Sequence, residues 1–314
     1  MIRIIPPQLL LLALLASPAV AQSPTTSPTP SRFLFTADGK QFTFDTSAFR
    51  GILHRDGKAL GLTSVVDLAS NTTISGAYGL LSHYRLLDAG ARYGTGCWDW
   101  PSSAELLPDG RVKVTWSADD AHPLDMTAIY SWRDKNTLDL ATTVTPKKNL
   151  QNFEVFLASY FAGFPVCAVY ANPDNNPSFV PAEKAAGDWQ AFPRDDNAAR
   201  IINDGRWQRP PNPVDWKIPN RLAAPLAIRR DAKTGLTAVV MAPPNDCFAV
   251  LAPYGEEGHR SIYFSLFGRD LSARRPATAS TRLVIAPNLT DDQAISLYQR
   301  WMKERIKAGP DSEG

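Results

Sequence analysis

The sequence predicts an all-β chain, a large antiparallel β-sandwich closed by a single C-terminal α-helix. Three observations carry this. Apolar residues recur at every second position over many short segments, turn tetrapeptides separate them, and helical spacing is confined to the C-terminal end.

In chain order, the first residues read as an export signal. Arg3 gives a positive start, Leu9–Ala16 an apolar run, and Ala19–Ala21 a small-residue cleavage site. The run is short for a permanent anchor, and no cysteine follows it for lipid attachment. Residues 1–21 are therefore expected to be removed and residues 22–31, rich in Ser, Thr and Pro, to form an extended leader. The expected location is secreted or periplasmic. Residues 32–287 are assigned to the sandwich and residues 288–314 to the helix and tail.

Within the sandwich, Arg111–Ala118, Gly235–Ala242, Ser261–Gly268 and Ser280–Ala286 read as strands. Turns are expected at Ala37–Lys40, Arg55–Lys58, Pro108–Arg111 and Arg133–Asn136. The block Leu124–Phe161 reads as three long strands in succession. Met126, Ala128 and Tyr130 share one face of the first, and Leu138 and Leu140 one face of the second. The third splits into Phe153, Val155, Leu157, Ser159 and Phe161 on one side, and Glu154, Phe156, Ala158 and Tyr160 on the other. Strands apolar on both faces need cover on both, so these three are expected to build one inner layer. Asn172–Pro225, with many prolines and Trp189, Trp207 and Trp216, reads as long excursions over a sheet rim. Those tryptophans either line a ligand site or pin the excursion to the body. The closing helix has Thr290 as cap, Gln293 three residues on, and a stripe of Ala294, Leu297, Tyr298, Trp301 and Met302, with Gly309 and Pro310 as its stop.

Function classes narrow by exclusion. The formal net charge is +2, and losing Arg3 lowers it by one, so nothing draws the chain to nucleic acid. Cys97, Cys167 and Cys247 stand far apart and form no zinc spacing; they read as buried thiols, although export would permit a disulfide. No motif calls for a metal or cofactor, and neither a P-loop nor a dinucleotide fingerprint is present.

The strand pair "YSWRDKNTLDLATTVTP" with the following "NFEVFLASYF" resembles the central strands of galactose mutarotase-like β-sandwiches. That resemblance implies a mutarotase-like supersandwich with a sugar-facing concave sheet and a saccharide or polysaccharide as partner. It does not imply a reaction. Aldose epimerases of this kind carry an Asn-His pair, whereas His54, His83, His122 and His259 follow Leu53, Ser82, Ala121 and Gly258.

Three places hold candidate site residues. In "YGEEGHRS", Glu256, Glu257 and His259 supply acid/base groups on a hairpin whose Gly255 and Gly258 permit positive φ, or they form a solvated turn. In Ala91–Ser102, Arg92, Trp98, Asp99 and Trp100 offer the aromatic faces and polar groups that bind a pyranose, or the indoles fill a core edge. His83 leads into that loop. On the third long strand, Glu154 shares a face with Tyr160 and needs a partner, for which Arg92 or Arg269 is available. With Trp207, these residues compose either an exported epimerase, lyase or hydrolase, or a non-catalytic glycan-binding or scaffold protein.

Overall fold

The computed structural model describes residues 1–2, 33–54 and 60–308. The proposed signal and leader, the turn at Arg55–Lys58 and the stop at Gly309 and Pro310 lie outside the described residues.

An N-terminal meander pairs β1 (Phe35–Asp38), β2 (Gln41–Asp45), β3 (Phe49–His54), β4 (Leu62–Asp67) and β5 (Thr72–Thr73) in order. Next come β6 (Ser82–Leu87), β7 (Arg92–Tyr93), β8 (Ser102–Leu106) and β9 (Val112–Trp116). The three long strands are β10 (Leu124–Asp134), β11 (Thr137–Pro146) and β12 (Leu150–Tyr160). They precede β13 (Val166–Ala171), β14 (Ser178–Pro181), β15 (Trp189–Pro193) and α1 (Asp196–Ile202). The chain closes through β16 (Leu222–Asp231), β17 (Leu236–Met241), β18 (Cys247–Pro253), β19 (Ser261–Leu271), β20 (Ala277–Pro287) and α2 (Asp291–Ala308). A nine-stranded sheet runs β14-β13-β16-β17-β20-β11-β10-β9-β8, and a six-stranded sheet runs β15-β18-β19-β12-β6-β7.

The all-β expectation holds, including the long hairpin, where Met126 lies opposite Val144 and Tyr130 opposite Leu140. One expectation fails. The third long strand does not continue the sheet of the first two; β12 crosses over and lies between β19 and β6 in the six-stranded sheet. Burial explains the move. β10 and β11 alternate buried with half-buried positions, so one face of each looks outward, whereas β12 is buried on both faces from Phe153 to Tyr160. At β12 the six-stranded sheet has cover on both sides.

Inward, Phe153, Val155 and Leu157 join Trp116, Met126, Ala128 and Leu140 of the opposite sheet in the main core. Outward, Phe156, Ala158 and Tyr160 join Trp207, Trp216, Phe248 and Tyr263 in a second, aromatic cluster. The excursion predicted over a rim supplies that cover. Its β15 extends one sheet by pairing with β18, and its β14 extends the other by pairing with β13. Its α1 is capped by Asp195, whose carboxylate accepts from the Ala198 amide at 2.8 Å.

The nine-stranded sheet is covered differently. Thr290 and Gln293 form a reciprocal capping box at the start of α2, with bonds of 2.9 and 3.2 Å. The predicted stripe then lays Ala294, Tyr298 and Trp301 on Leu226, Ile228, Val239, Met241 and Val284. All three cysteines are free and buried, and burial raises each thiol pKa.

Candidate functional site

The outer face of the six-stranded sheet gathers rings from strands, loops and the excursion. Phe156 stacks on Tyr263 at 4.7 Å between centroids and meets Trp207 edge-on at 4.3 Å. Trp216 contacts Trp207 at 5.7 Å and Trp189 at 5.6 Å, both edge-on. These are the offset and edge geometries that ring quadrupoles favour. The row then runs from Tyr160 to Tyr78 at 5.1 Å and from Tyr78 to Trp98 at 5.2 Å. Trp98 also stacks on Tyr84 at 4.3 Å. Tyr78 is exposed and Trp98, Tyr84 and Trp189 are half-buried, so this end of the row meets solvent while Phe156, Trp207 and Trp216 do not.

A β-bulge sets which side chains reach this face. In the pairing of β6 with β12, Arg85 opposes Phe156 and His83 opposes Leu157, so Tyr84 is one residue too many. Tyr84 and Arg85 consequently both turn outward, and the Arg85 guanidinium lies 4.8 Å from the Tyr84 ring and 5.2 Å from the Trp207 ring. His83 points inward, where its Nε2 is 2.8 Å from Thr142 Oγ1 of the opposite sheet. Burial lowers the His83 pKa to about 3, so it is neutral there.

The Ala91–Ser102 loop divides its two indoles. Trp100 is buried, donates to Ser117 O at 3.0 Å and stacks on His122 at 4.2 Å. Gly94, at φ +65°, lies against that histidine; a Cβ there would come within 2.3 Å of His122 Nε2. With Trp100 fixed below, Trp98 is held on the sheet face. Asp99 is exposed and accepts from Thr95 Oγ1 at 3.1 Å.

The hairpin between β18 and β19 brings its histidine to the same row. His259 Nδ1 lies 2.7 Å from Glu257 Oε1, and the His259 amide donates to Oε2 at 2.8 Å. The ring is 5.6 Å from Trp189 and 6.4 Å from Tyr160. Because a carboxylate only accepts, Glu257 places the proton on Nδ1 and leaves Nε2 as acceptor. Glu256 is exposed and makes no hydrogen bond among the described residues. The glycines play a part other than the one predicted, since neither Gly255 nor Gly258 has positive φ and Arg260 takes it instead. Gly255 is required by close approach, because a Cβ would lie 2.3 Å from Pro165 O. Beneath, the buried Arg229 donates to Gly255 O at 3.2 Å, Ser261 O at 3.2 Å and Phe164 O at 2.7 Å, tying both roots of the hairpin to the body.

The tyrosines respond to their surroundings in opposite directions. Burial raises Tyr160 well above the ordinary phenol range, with neighbouring Tyr263 adding to it, and burial pushes Tyr263 up to about 12. Burial also acts upward on Tyr84, but Arg85, Asn212 and Arg92 together outweigh it and lower its pKa.

Glu154 has neither of its expected partners. Arg92 bonds backbone carbonyls, and Arg269 turns to Asn245 O at 2.6 Å. Instead Arg206, fully buried like Glu154, donates from Nη1 to Oε2 at 3.3 Å, and Ser265 Oγ donates to Oε1 at 2.6 Å. Asp204 also holds Arg206, accepting from Nη2 at 2.8 Å. Burial pushes the Glu154 carboxyl up, against the pull of Arg206 and Ser265. This pair locks the Trp207 segment onto the sheet.

The structure thus brings Trp98, Tyr160 and His259 onto one face with Glu257, and Arg92 beside Tyr84. It leaves His83 and Trp100 in the core, Glu154 beneath the cover and Trp207 buried within it. Sequence reading missed Tyr78, Tyr84, Arg85, Arg206, Arg229 and Tyr263. The need of a buried Glu154 for a cation was a signal for Arg206, though not for its position. Among the described residues, no group of three or more His, Cys, Asp or Glu is placed to hold a metal ion, and no helix is long and apolar enough to cross a membrane.

No protein-family model and no curated protein matches the chain. Solved structures do resemble it. A galactose mutarotase-like protein from Lactobacillus casei ATCC 334 matches with a TM-score of 0.50 at 13% identity, over 78% of this chain and 100% of that one. A galactose 1-epimerase from Lactobacillus acidophilus NCFM matches with a TM-score of 0.49 at 12% identity, over 82% and 99%. The Slr1438 protein from Synechocystis sp. PCC 6803 gives 0.48 at 12%, over 83% and 98%. At such identities the likeness is one of architecture, and the chain adopts the galactose mutarotase-like β-sandwich fold.

Proposed function

We propose that the protein is an exported carbohydrate-active protein that binds a saccharide along the outer face of the six-stranded sheet. The single observation that carries this is the run of ring contacts from Trp98 through Tyr78 and Tyr160 to His259. It joins an aromatic platform open at one end to an imidazole whose tautomer a carboxylate fixes. Sugars stack their apolar faces on such rings, and hydroxyl groups bond the polar rim. In this reading the exposed Tyr78, backed by Trp98, seats the ring, and His259 Nε2 accepts or returns a proton at the reacting centre. Glu257 acts through His259, as a positioning residue. Epimerisation and β-elimination use such a group as a base or acid on the sugar, and hydrolysis uses it on the glycosidic oxygen or the attacking water.

A second reading, glycan binding without turnover, draws support from the half-exposed His259 side chain, to which Glu257 is the one acid/base group bonded among the described residues. A glycan array with the purified protein, followed by a product assay on any bound saccharide, separates the two. Trp98→Ala is expected to weaken binding by about tenfold. His259→Asn is expected to leave binding intact and slow product formation by about a hundredfold or more. Unchanged product formation in His259→Asn, or no product from a tightly bound saccharide, leaves glycan binding as the function. Absence of binding to any saccharide removes both.

A further inference from the structure

Two cations on the ring-covered face have no anion. Arg85 is 3% exposed, and its Nη2 donates to Asn212 O at 2.7 Å and to Tyr84 Oη at 3.3 Å. Its Nε and Nη1 have no partner. Arg92, half-buried, donates to the carbonyls of Pro211 at 2.5 Å, Arg209 at 3.3 Å and Thr95, while its buried Nε is also unpartnered. Among the described residues no carboxylate reaches either guanidinium. The acids nearby are committed elsewhere: Asp88 bonds Tyr93 Oη at 2.7 Å, and Glu154 and Asp204 hold Arg206.

This arrangement is expensive for the protein alone. A guanidinium withdrawn from water without a counter-charge, and with donors unfilled, loses more hydration than neutral carbonyls return. Neighbouring rings compensate in part through cation–π contact. Three unpartnered nitrogens on two planar cations, beside the Trp98–Tyr84 stack, match a planar anionic group on a ring that packs beside those aromatics. A neutral sugar would leave the charge uncompensated, and a metal ion would be repelled.

We infer that the saccharide is acidic, its carboxylate or sulfate oxygens bound by Arg85 and Arg92 in place of the Asn212 and Pro211 carbonyls while its ring packs beside the Trp98–Tyr84 stack. This inference rests on the saccharide reading above and narrows its substrate class. Residues 209–212 act as a strap whose carbonyls hold both guanidiniums ready. Tyr84, whose hydroxyl accepts from Arg85 and from Asn212 Nδ2 at 3.3 Å each, marks where strap and anion meet.

The test is calorimetric titration of the purified protein with four probes: an oligogalacturonate, its methyl ester, a sulfated oligosaccharide and a neutral oligosaccharide. Tighter binding of the free acid than of the ester by about tenfold or more supports the inference, as does weakening as ionic strength rises. Comparison of the uronate and sulfate arms identifies the anionic group. Arg92→Gln, at a half-exposed position, and Arg85→Gln should each remove about tenfold of the acid's affinity and little of the ester's. Should Arg85→Gln fail to fold, Arg92→Gln decides. Neither the free acid nor the sulfated oligosaccharide binding more tightly than the ester and the neutral probe, or variants that bind the anionic probe as tightly as the unaltered protein, overturns the acidic assignment and leaves saccharide binding standing. Failure of all four probes removes both.

Discussion

The two sheets of the sandwich each carry an apolar outer face, and the chain covers them by opposite means. Over the nine-stranded sheet, α2 lays alanine, tyrosine and tryptophan on aliphatic side chains, and no residue of that cluster holds a buried polar atom without a partner. Over the six-stranded sheet, a segment with little regular structure supplies tryptophans and arginines. There Trp207 Nε1, Trp216 Nε1, two nitrogens of Arg85 and one of Arg92 lack partners. Buried polar groups are ordinarily satisfied, so this contrast separates a face finished by its own chain from one left unfinished. The difference sets the outer face of the six-stranded sheet apart from that of the nine-stranded one.

That contrast can be broken or sharpened. The largest effect should come from α2, where Trp301→Ala is expected to cost about 3–5 kcal/mol in chemical denaturation and leave saccharide affinity unchanged. A loss of affinity there would mean that the two faces are not independent. Next, Arg206→Leu should cost about 3 kcal/mol by leaving Glu154 buried without its cation, and adding Glu154→Leu should restore much of it. If the single variant is as stable as the parent, the cover is held by its rings alone. The smallest effect concerns the interior between the sheets. His83 has a folded pKa of about 3 against an ordinary 6.5, so its unfolded state binds the proton more readily. Its contribution is complete above about pH 6.5 and declines as pH falls toward 3. His83→Gln should remove about 2 kcal/mol of the stability lost between neutrality and about pH 5, read from denaturation midpoints across pH.

Much of this was legible in the chain. The two sides of β12 could be read from period two, since Val155 and Leu157 differ in neighbours from Phe156 and Tyr160 as alternation requires. The capping box of α2 is a local pattern and appears where Thr290 and Gln293 predict it. Local signals fail where partners are distant. Arg206 and Glu154 are 52 positions apart, and nothing near either names the other. Which sheet β12 joins is likewise decided by cover that arrives later in the chain. The glycines of the Glu257–His259 hairpin were expected to supply positive φ, whereas Gly255 is needed because the Pro165 carbonyl passes close by, a constraint from outside the hairpin.

The surplus residue in β6 has a consequence for how this protein could change. A point substitution at Tyr84 or Arg85 adjusts the ring-lined surface by degrees. Deleting Tyr84 or Arg85 would restore strict alternation and leave the other alone on that face, trading the pair for a lone phenol or guanidinium in a single step. The chemistry that this surface presents is therefore open to abrupt conversion through strand length, without any new side chain.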